Sequence, residues 1–271
     1  MADLLYKNSR DVFLDTVEVK DYIQIHRISA VYESISKSIK KPLKMILLYG
    51  QPGTGKSMFL SKLYEDFSSV QKAHLYKTPM LNENEFLKRL AKDMYGIEQT
   101  VDTDLTDFID LLQNKEADEI PVPLIFLDEA QLYSDSMMET IRLLSDTRKI
   151  KFIISLHKTQ KEDIIAKEHF RTRIWESIRL QNASAEELMI YVQKKLLKAN
   201  CVESANMFTK SSMDFIHKLT QGNFRETNKL LYTLFDIYDY YMQKNSKKVD
   251  KEKISKKIIE MSAIHTGLID A

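Results

Sequence analysis

Apolar positions fall into short unbroken runs that alternate with helical stripes. Ile25, Ile28, Tyr32, Ile35 and Ile39 recur at helical spacing. Met45–Tyr49 is an apolar run ended by glycine, which predicts a buried strand, and a helix is expected from about Lys56 to Phe67. The alternation then continues. Ala73–Lys77, Leu124–Leu127, Phe152–Leu156 and Ile174–Leu180 read as strands. Leu87, Leu90, Ala91 and Met94 form one helix face, and Met137, Ile141 and Leu144 another. Strands alternating with helices predict an α/β fold: a mainly parallel sheet with helices on both faces.

Past Leu180 the strand signal stops. Ser184-Ala185-Glu186-Glu187 has the form of a helix N-cap followed by an acidic first turn. Helical patterns follow over 184–199, 210–220, 225–243 and about 250–263. Residues 1–21 alternate poorly and carry mixed charge, which predicts an irregular arm. The expected organisation is an arm over 1–24, an α/β domain over 25–182 and a smaller all-helical domain over 183–271.

Composition narrows the classes. Forty basic residues against 39 acidic ones give a net charge of +1, so no global field draws the chain to nucleic acid or an acidic membrane. Any such contact needs a local patch. One cysteine, Cys201, excludes an intrachain disulfide and fits a reducing compartment. The first residues lack a signal pattern, and no apolar run approaches the ~20 residues of a membrane span. A soluble cytoplasmic protein is expected, with recruitment to the inner face of the membrane as an extension. Two charge blocks stand out: 98–119 holds eight acidic residues and one lysine, and 244–257 holds seven lysines. The plainer reading of each is a solvated face or linker; partner docking is the alternative.

Only six glycines occur, and three of them are Gly50, Gly53 and Gly55. Gly50-Gln51-Pro52-Gly53-Thr54-Gly55-Lys56-Ser57 fits G-x-x-x-x-G-K-[ST] at every fixed position, between a predicted strand and a predicted helix. Glycines let backbone N–H groups turn inward around phosphates, and the helix start points its positive dipole end at the same anion. The ATP-binding segment is expected to run from Gly50 to Met58. Lys56 would bridge the β- and γ-phosphates, and the Ser57 hydroxyl would ligate Mg²⁺. The run Leu124–Leu127 delivers Asp128 and Glu129 at its C-terminal end, where open α/β sheets bind ligands. Asp128 would hold Mg²⁺, and Glu129 would orient and polarise the attacking water. The plainer alternative is two carboxylates capping the next helix.

These motifs, in this order and before a helical C-terminal part, resemble the AAA+ ATPases. Asp128-Glu129-Ala130-Gln131, Ile141-Arg142-Leu143-Leu144-Ser145, Phe170-Arg171-Thr172-Arg173-Ile174 and Gly222-Asn223-Phe224-Arg225-Glu226-Thr227-Asn228 are similar to stretches of the ExeA/MshM branch. The TniB-type transposition ATPases share the general pattern. The resemblance runs from about residue 40 to about 240. It implies further roles. His157 would stand at the sensor-1 position, Arg225 at sensor 2 opening the lid helix, and Arg171 or Arg173, with Arg171 favoured, would be an arginine finger acting in trans. The plainer readings are a strand-end histidine, a surface arginine and a salt bridge near the domain junction. A trans finger implies a homo-oligomer in the ATP state, as a ring or open spiral.

By resemblance, the leading function is an ATPase driving assembly of an envelope secretion, type IV pilus or DNA-uptake machine, with a protein partner there. The second is a TniB-like ATPase that binds DNA in an ATP-dependent way, which the lysine-rich 244–257 segment favours and the neutral net charge opposes.

Overall fold

The computed structural model describes residues 5–97, 104–114, 122–157, 172–245 and 249–270. In chain order the elements are α1 (Lys7–Asp11), α2 (His26–Ile39), β1 (Met45–Gly50), α3 (Lys56–Ser68), β2 (Ala73–Tyr76), α4 (Glu83–Tyr95), α5 (Leu105–Asn114), β3 (Leu124–Leu127), α6 (Asp135–Asp146), β4 (Lys151–His157) and β5 (Ile174–Arg179). The helices α7 (Ala185–Lys198), α8 (Val202–Asn206), α9 (Lys210–Thr220), α10 (Phe224–Asn245) and α11 (Lys256–Thr266) follow. They group into two compact units: 30–52 with 56–180, and 1–29 with 53–55 and 181–271.

The α/β unit is built on a five-stranded sheet in the order β2-β3-β4-β1-β5, with each neighbouring pair parallel. The apolar runs read as buried strands are buried along nearly their whole length. Parallel strands covered on both faces need such uninterrupted runs. On one face Met45, Leu47, Ile125, Leu127, Phe152 and Ile154 pack with side chains of α4, α5 and α6. On the other, Tyr64 of α3 meets Phe126 edge-on at 6.0 Å between ring centres. Each fully buried side chain of this kind contributes roughly 1.5–3 kcal/mol. Register sets the functional edge. Gly50 lies opposite His157, and Leu127 opposite both Tyr76 and Ile154. The C-terminal ends of β1, β3 and β4 therefore carry Gly50, Asp128 and His157 along one rim of the sheet.

Within the acidic block, the described residues depart from a plain solvated linker. Residues 105–114 form α5, whose Phe108 and Leu112 are fully buried, while Asp107 and Asp110 face solvent. The helical spacing of Leu105, Phe108, Ile109 and Leu112 is present in the sequence but masked by the charge count. The rest of the block, 98–103 and 115–119, lies outside the described residues.

The helical unit is held by Leu188, Val192 and Leu196 of α7, Met213 and Ile216 of α9, Leu230, Leu234 and Phe235 of α10, and Ile258 and Ile259 of α11. Ser184 caps α7 in a full capping box with Glu187, as the sequence suggests. Residues 6–13 of the expected arm are packed rather than irregular. Tyr6 and Phe13 are buried and stack against Phe235, at 5.8 and 6.0 Å. The Tyr6 amide donates to Asp239 Oδ1 at 2.8 Å, and the Ser9 and Ser204 hydroxyls meet at 2.7 Å. Two aromatic anchors seven residues apart with charges between them carry no periodic signal. The basic block also has an inner side: Val249 and Ile254 are buried, while Lys251, Lys253, Lys256 and Lys257 are exposed. Lys247 and Lys248 lie outside the described residues. Among those described, no helix is long and apolar enough to cross a membrane.

Candidate functional site

The glycine-rich turn leaves β1 at Gly50 and enters α3 at Lys56. Gly53 and Gly55 have φ of +79° and +87°, a left-handed region that costs an L side chain about 1–2 kcal/mol. The Lys56 ammonium is nearly buried, and its Nζ donates to the carbonyls of Gly50 and Gln51, each at 2.9 Å. A buried cation without polar neighbours would be costly, so this amine is held by the turn it serves. Thr54 is buried; Ser57 and Met58 are half-buried in the first turn of α3. Gly53 groups with the helical unit. Its carbonyl accepts from the Phe224 amide at 3.1 Å, and a Cβ at Gly53 would lie 2.1 Å from Asn223 Oδ1. That Asn223 oxygen is already committed, because it accepts from the amides of Arg225 and Glu226 at the start of α10.

Strand β3 hands over to Asp128, whose amide donates to the Tyr76 carbonyl at 3.0 Å and extends the β2–β3 pairing by one step. The Asp128 side chain is buried, and its Oδ1 accepts the Glu129 amide at 3.0 Å. Glu129 itself sits at φ +54°, a strained setting for a non-glycine residue and one that clusters at functional sites. Its carboxylate is held from two sides. His157 Nε2 lies 3.2 Å from Oε1, and Gln131 Nε2 donates to Oε2 at 2.5 Å. The Gln131 carbonyl oxygen in turn accepts the His157 amide at 3.0 Å.

The structure thus brings Glu129 and His157 together, as two residues the sequence assigned to catalysis. It does the same for Lys56 and the turn Gly50–Gly55. The arginines stand elsewhere. Arg173 makes a two-pronged contact with Asp146, Nε to Oδ1 at 3.1 Å and Nη2 to Oδ2 at 3.0 Å. Asp146 also pairs with Lys44 at 2.5 Å and Arg142 at 2.9 Å. Burial pushes the Asp146 carboxyl up, but hydrogen bonds from Arg173 and Lys44 outweigh it and hold the group below its ordinary value. Arg171 lies outside the described residues. Arg225, in the first turn of α10, lies 3.4 Å from Asp15, with both side chains largely exposed. Gln131 and Asn223 are the residues that motif reading did not assign. Both stand inside quoted motifs, but as family markers without a role.

The residues suit a nucleotide and its cation. The turn carries glycines at two left-handed positions, the buried amine of Lys56 faces backbone oxygens, and a hydroxyl and a buried carboxylate supply the hard oxygen donors that Mg²⁺ prefers.

Comparison with known proteins agrees with this architecture. Residues 40–163 match the family model described as an AAA domain. No similar curated protein is found. Among solved structures, Cdc6p from Pyrobaculum aerophilum superposes with a TM-score of 0.64 at 15% identity, covering 94% of this chain and 70% of its own. The Aeropyrum pernix ORC1 protein in complex with DNA gives 0.61 at 12% identity, covering 94% and 69%. The RuvB Holliday junction branch migration motor of Thermotoga maritima gives 0.58 at 14% identity, covering 93% and 72%. Residues 40–163 are thus similar to an AAA domain, and the chain has the P-loop AAA+ fold of these structures, with a helical C-terminal region.

Proposed function

We propose that this protein binds ATP with Mg²⁺ and hydrolyses it to ADP and phosphate. The observation that carries the reading is the rim of the sheet, where the Lys56 turn, Asp128 and the Glu129–His157 pair stand at the ends of adjacent parallel strands. Gly50 through Met58 hold the phosphates, with Lys56 countering their charge. Ser57 and Asp128 hold Mg²⁺, which supplies charge neutralisation at the phosphates. Glu129 takes the proton of the attacking water, and His157 steadies its carboxylate. Arg225 senses the nucleotide from the lid helix. Arg173 is engaged by Asp146 within its own chain, so Arg171 is the finger we assign to the neighbouring subunit of a homo-oligomer. Lys56→Ala is expected to lose binding of the fluorescent analogue mant-ATP by at least about 10²-fold, through removal of the phosphate clamp. Retained affinity contradicts the assignment.

For the work that hydrolysis drives, we favour a DNA transaction over an envelope machine. Lys251, Lys253, Lys256 and Lys257 are exposed near the start of α11, four lysines against the exposed Asp250 and Glu252, with Lys256 also paired to Glu260 at 3.5 Å. Two of the structurally similar proteins are described with DNA or as a branch migration motor. If lysines touch phosphates, duplex binding falls steeply with salt. Replacing Lys251, Lys253 and Lys257 by Gln then flattens the log–log slope by roughly 2–3. An unchanged slope returns the envelope reading to first place.

A further inference from the structure

We propose that Gln131 is a positioning residue for Glu129, coupling the direction of that carboxylate to the end of strand β4. The inference rests on the ATPase reading above and adds a residue that motif matching leaves without a task.

The geometry comes from the turn. Glu129 at φ +54° reverses the chain, and the 3-10 turn Ala130–Leu132 follows at once. The Leu132 amide donates to the Glu129 carbonyl at 2.9 Å, and the Tyr133 amide to the Ala130 carbonyl at 3.2 Å. Ala130 and Tyr133 are buried and pin the turn to the core beneath it. This places the side chains of residues 129 and 131 against each other. The amide orientation of Gln131 is set by chemistry. The His157 N–H can only donate, so it needs the amide oxygen, and the carboxylate can only accept, so it needs the amide nitrogen. A flipped amide would place oxygen against carboxylate and N–H against N–H.

Gln131 thus closes a ring of three contacts: to the Glu129 carboxylate, from there to the His157 imidazole, and back through the His157 amide. An ionised carboxylate has about four acceptor sites, so these two contacts leave it able to accept from water. What they remove is rotation. Without Gln131, the glutamate keeps one lateral contact and its terminal torsion is free. A displacement of ~1 Å in a reacting group can cost about 10²-fold in rate. The second arm of the amide adds coupling, because a shift of the β4 end at His157 moves the group that aims Glu129.

The test is a double-mutant cycle on the full chain. Gln131→Leu should lower kcat by roughly 10- to 100-fold while the mant-ATP dissociation constant stays within about threefold. In the Glu129→Gln background the same change should alter residual turnover by less than about twofold, since there is no base left to aim. Gln131→Glu is nearly isosteric and carries the test if the leucine variant fails to fold. Its added charge beside Glu129 should lower kcat at least as far, again with binding intact. The proposal is overturned by unchanged kcat, by nucleotide affinity falling in step with kcat, or by equal fold-losses in both backgrounds. An inactive wild type removes the ATPase reading and this one together. An active wild type with indifferent Gln131 variants removes this one alone.

Discussion

Lys195 lies on α7, nearly buried, with its ammonium 5.5 Å from the ring centres of both Phe13 and Tyr191. Burial pulls it down to about 8, against a smaller upward pull from Asp21 and Asp15. The sign of the consequence is fixed. Between about 8 and the ordinary lysine value, the unfolded chain binds the proton and the folded one does not, so stability rises with pH across that window. Below it, the fold bears the full cost of the buried charge. Lys195→Met is expected to raise stability at pH 7 by about 1–3 kcal/mol, with the gain shrinking as pH approaches 10. Urea titrations of both proteins at pH 7 and 9.5 measure this. A gain that is absent at pH 7, or constant with pH, contradicts the buried-charge account.

At the scale of elements, the opening segment carries a clear prediction. Phe13 is only 1% exposed and sits between Phe235 and Lys195. Phe13→Ala should therefore cost about 3 kcal/mol, as truncation of a buried aromatic does. Leu14→Ala, one residue on and 47% exposed, should cost less than about 0.5 kcal/mol. Similar small losses at both positions would mean that residues 5–18 hang loosely, as the sequence pattern predicts. Helices and strands with a strong period were legible because burial on one face or both writes that period directly. The strands β1, β3 and β4 lie within a residue of their sequence bounds. Segment 5–13 and α5 were not legible for opposite reasons. The first is anchored by two isolated aromatics and side-chain hydrogen bonds that leave no repeat. The second has the right repeat beneath a dense acidic surface.

For the whole molecule, the phosphate-binding turn and the acidic pair were legible because their chemistry needs particular residues at fixed spacing. Their meeting was only half legible. Neighbouring parallel strands put Gly50 opposite His157, but the chain alone does not tell which strands are neighbours. The Gln131 bridge depends on a left-handed glutamate that no propensity favours. Arg173 is engaged by Asp146 within its own chain, a pairing between residues 27 positions apart that no motif spacing marks. All of these roles presuppose turnover of ATP at Glu129. Steady-state phosphate release by wild type and Glu129→Gln, beside mant-ATP binding to each, tests that most directly. The account predicts Mg²⁺-dependent release by the wild type. It predicts a loss of at least about 10²-fold in the variant, with affinity unchanged within about threefold. Equal turnover by the two proteins, or none by a wild type that binds the analogue, would contradict it.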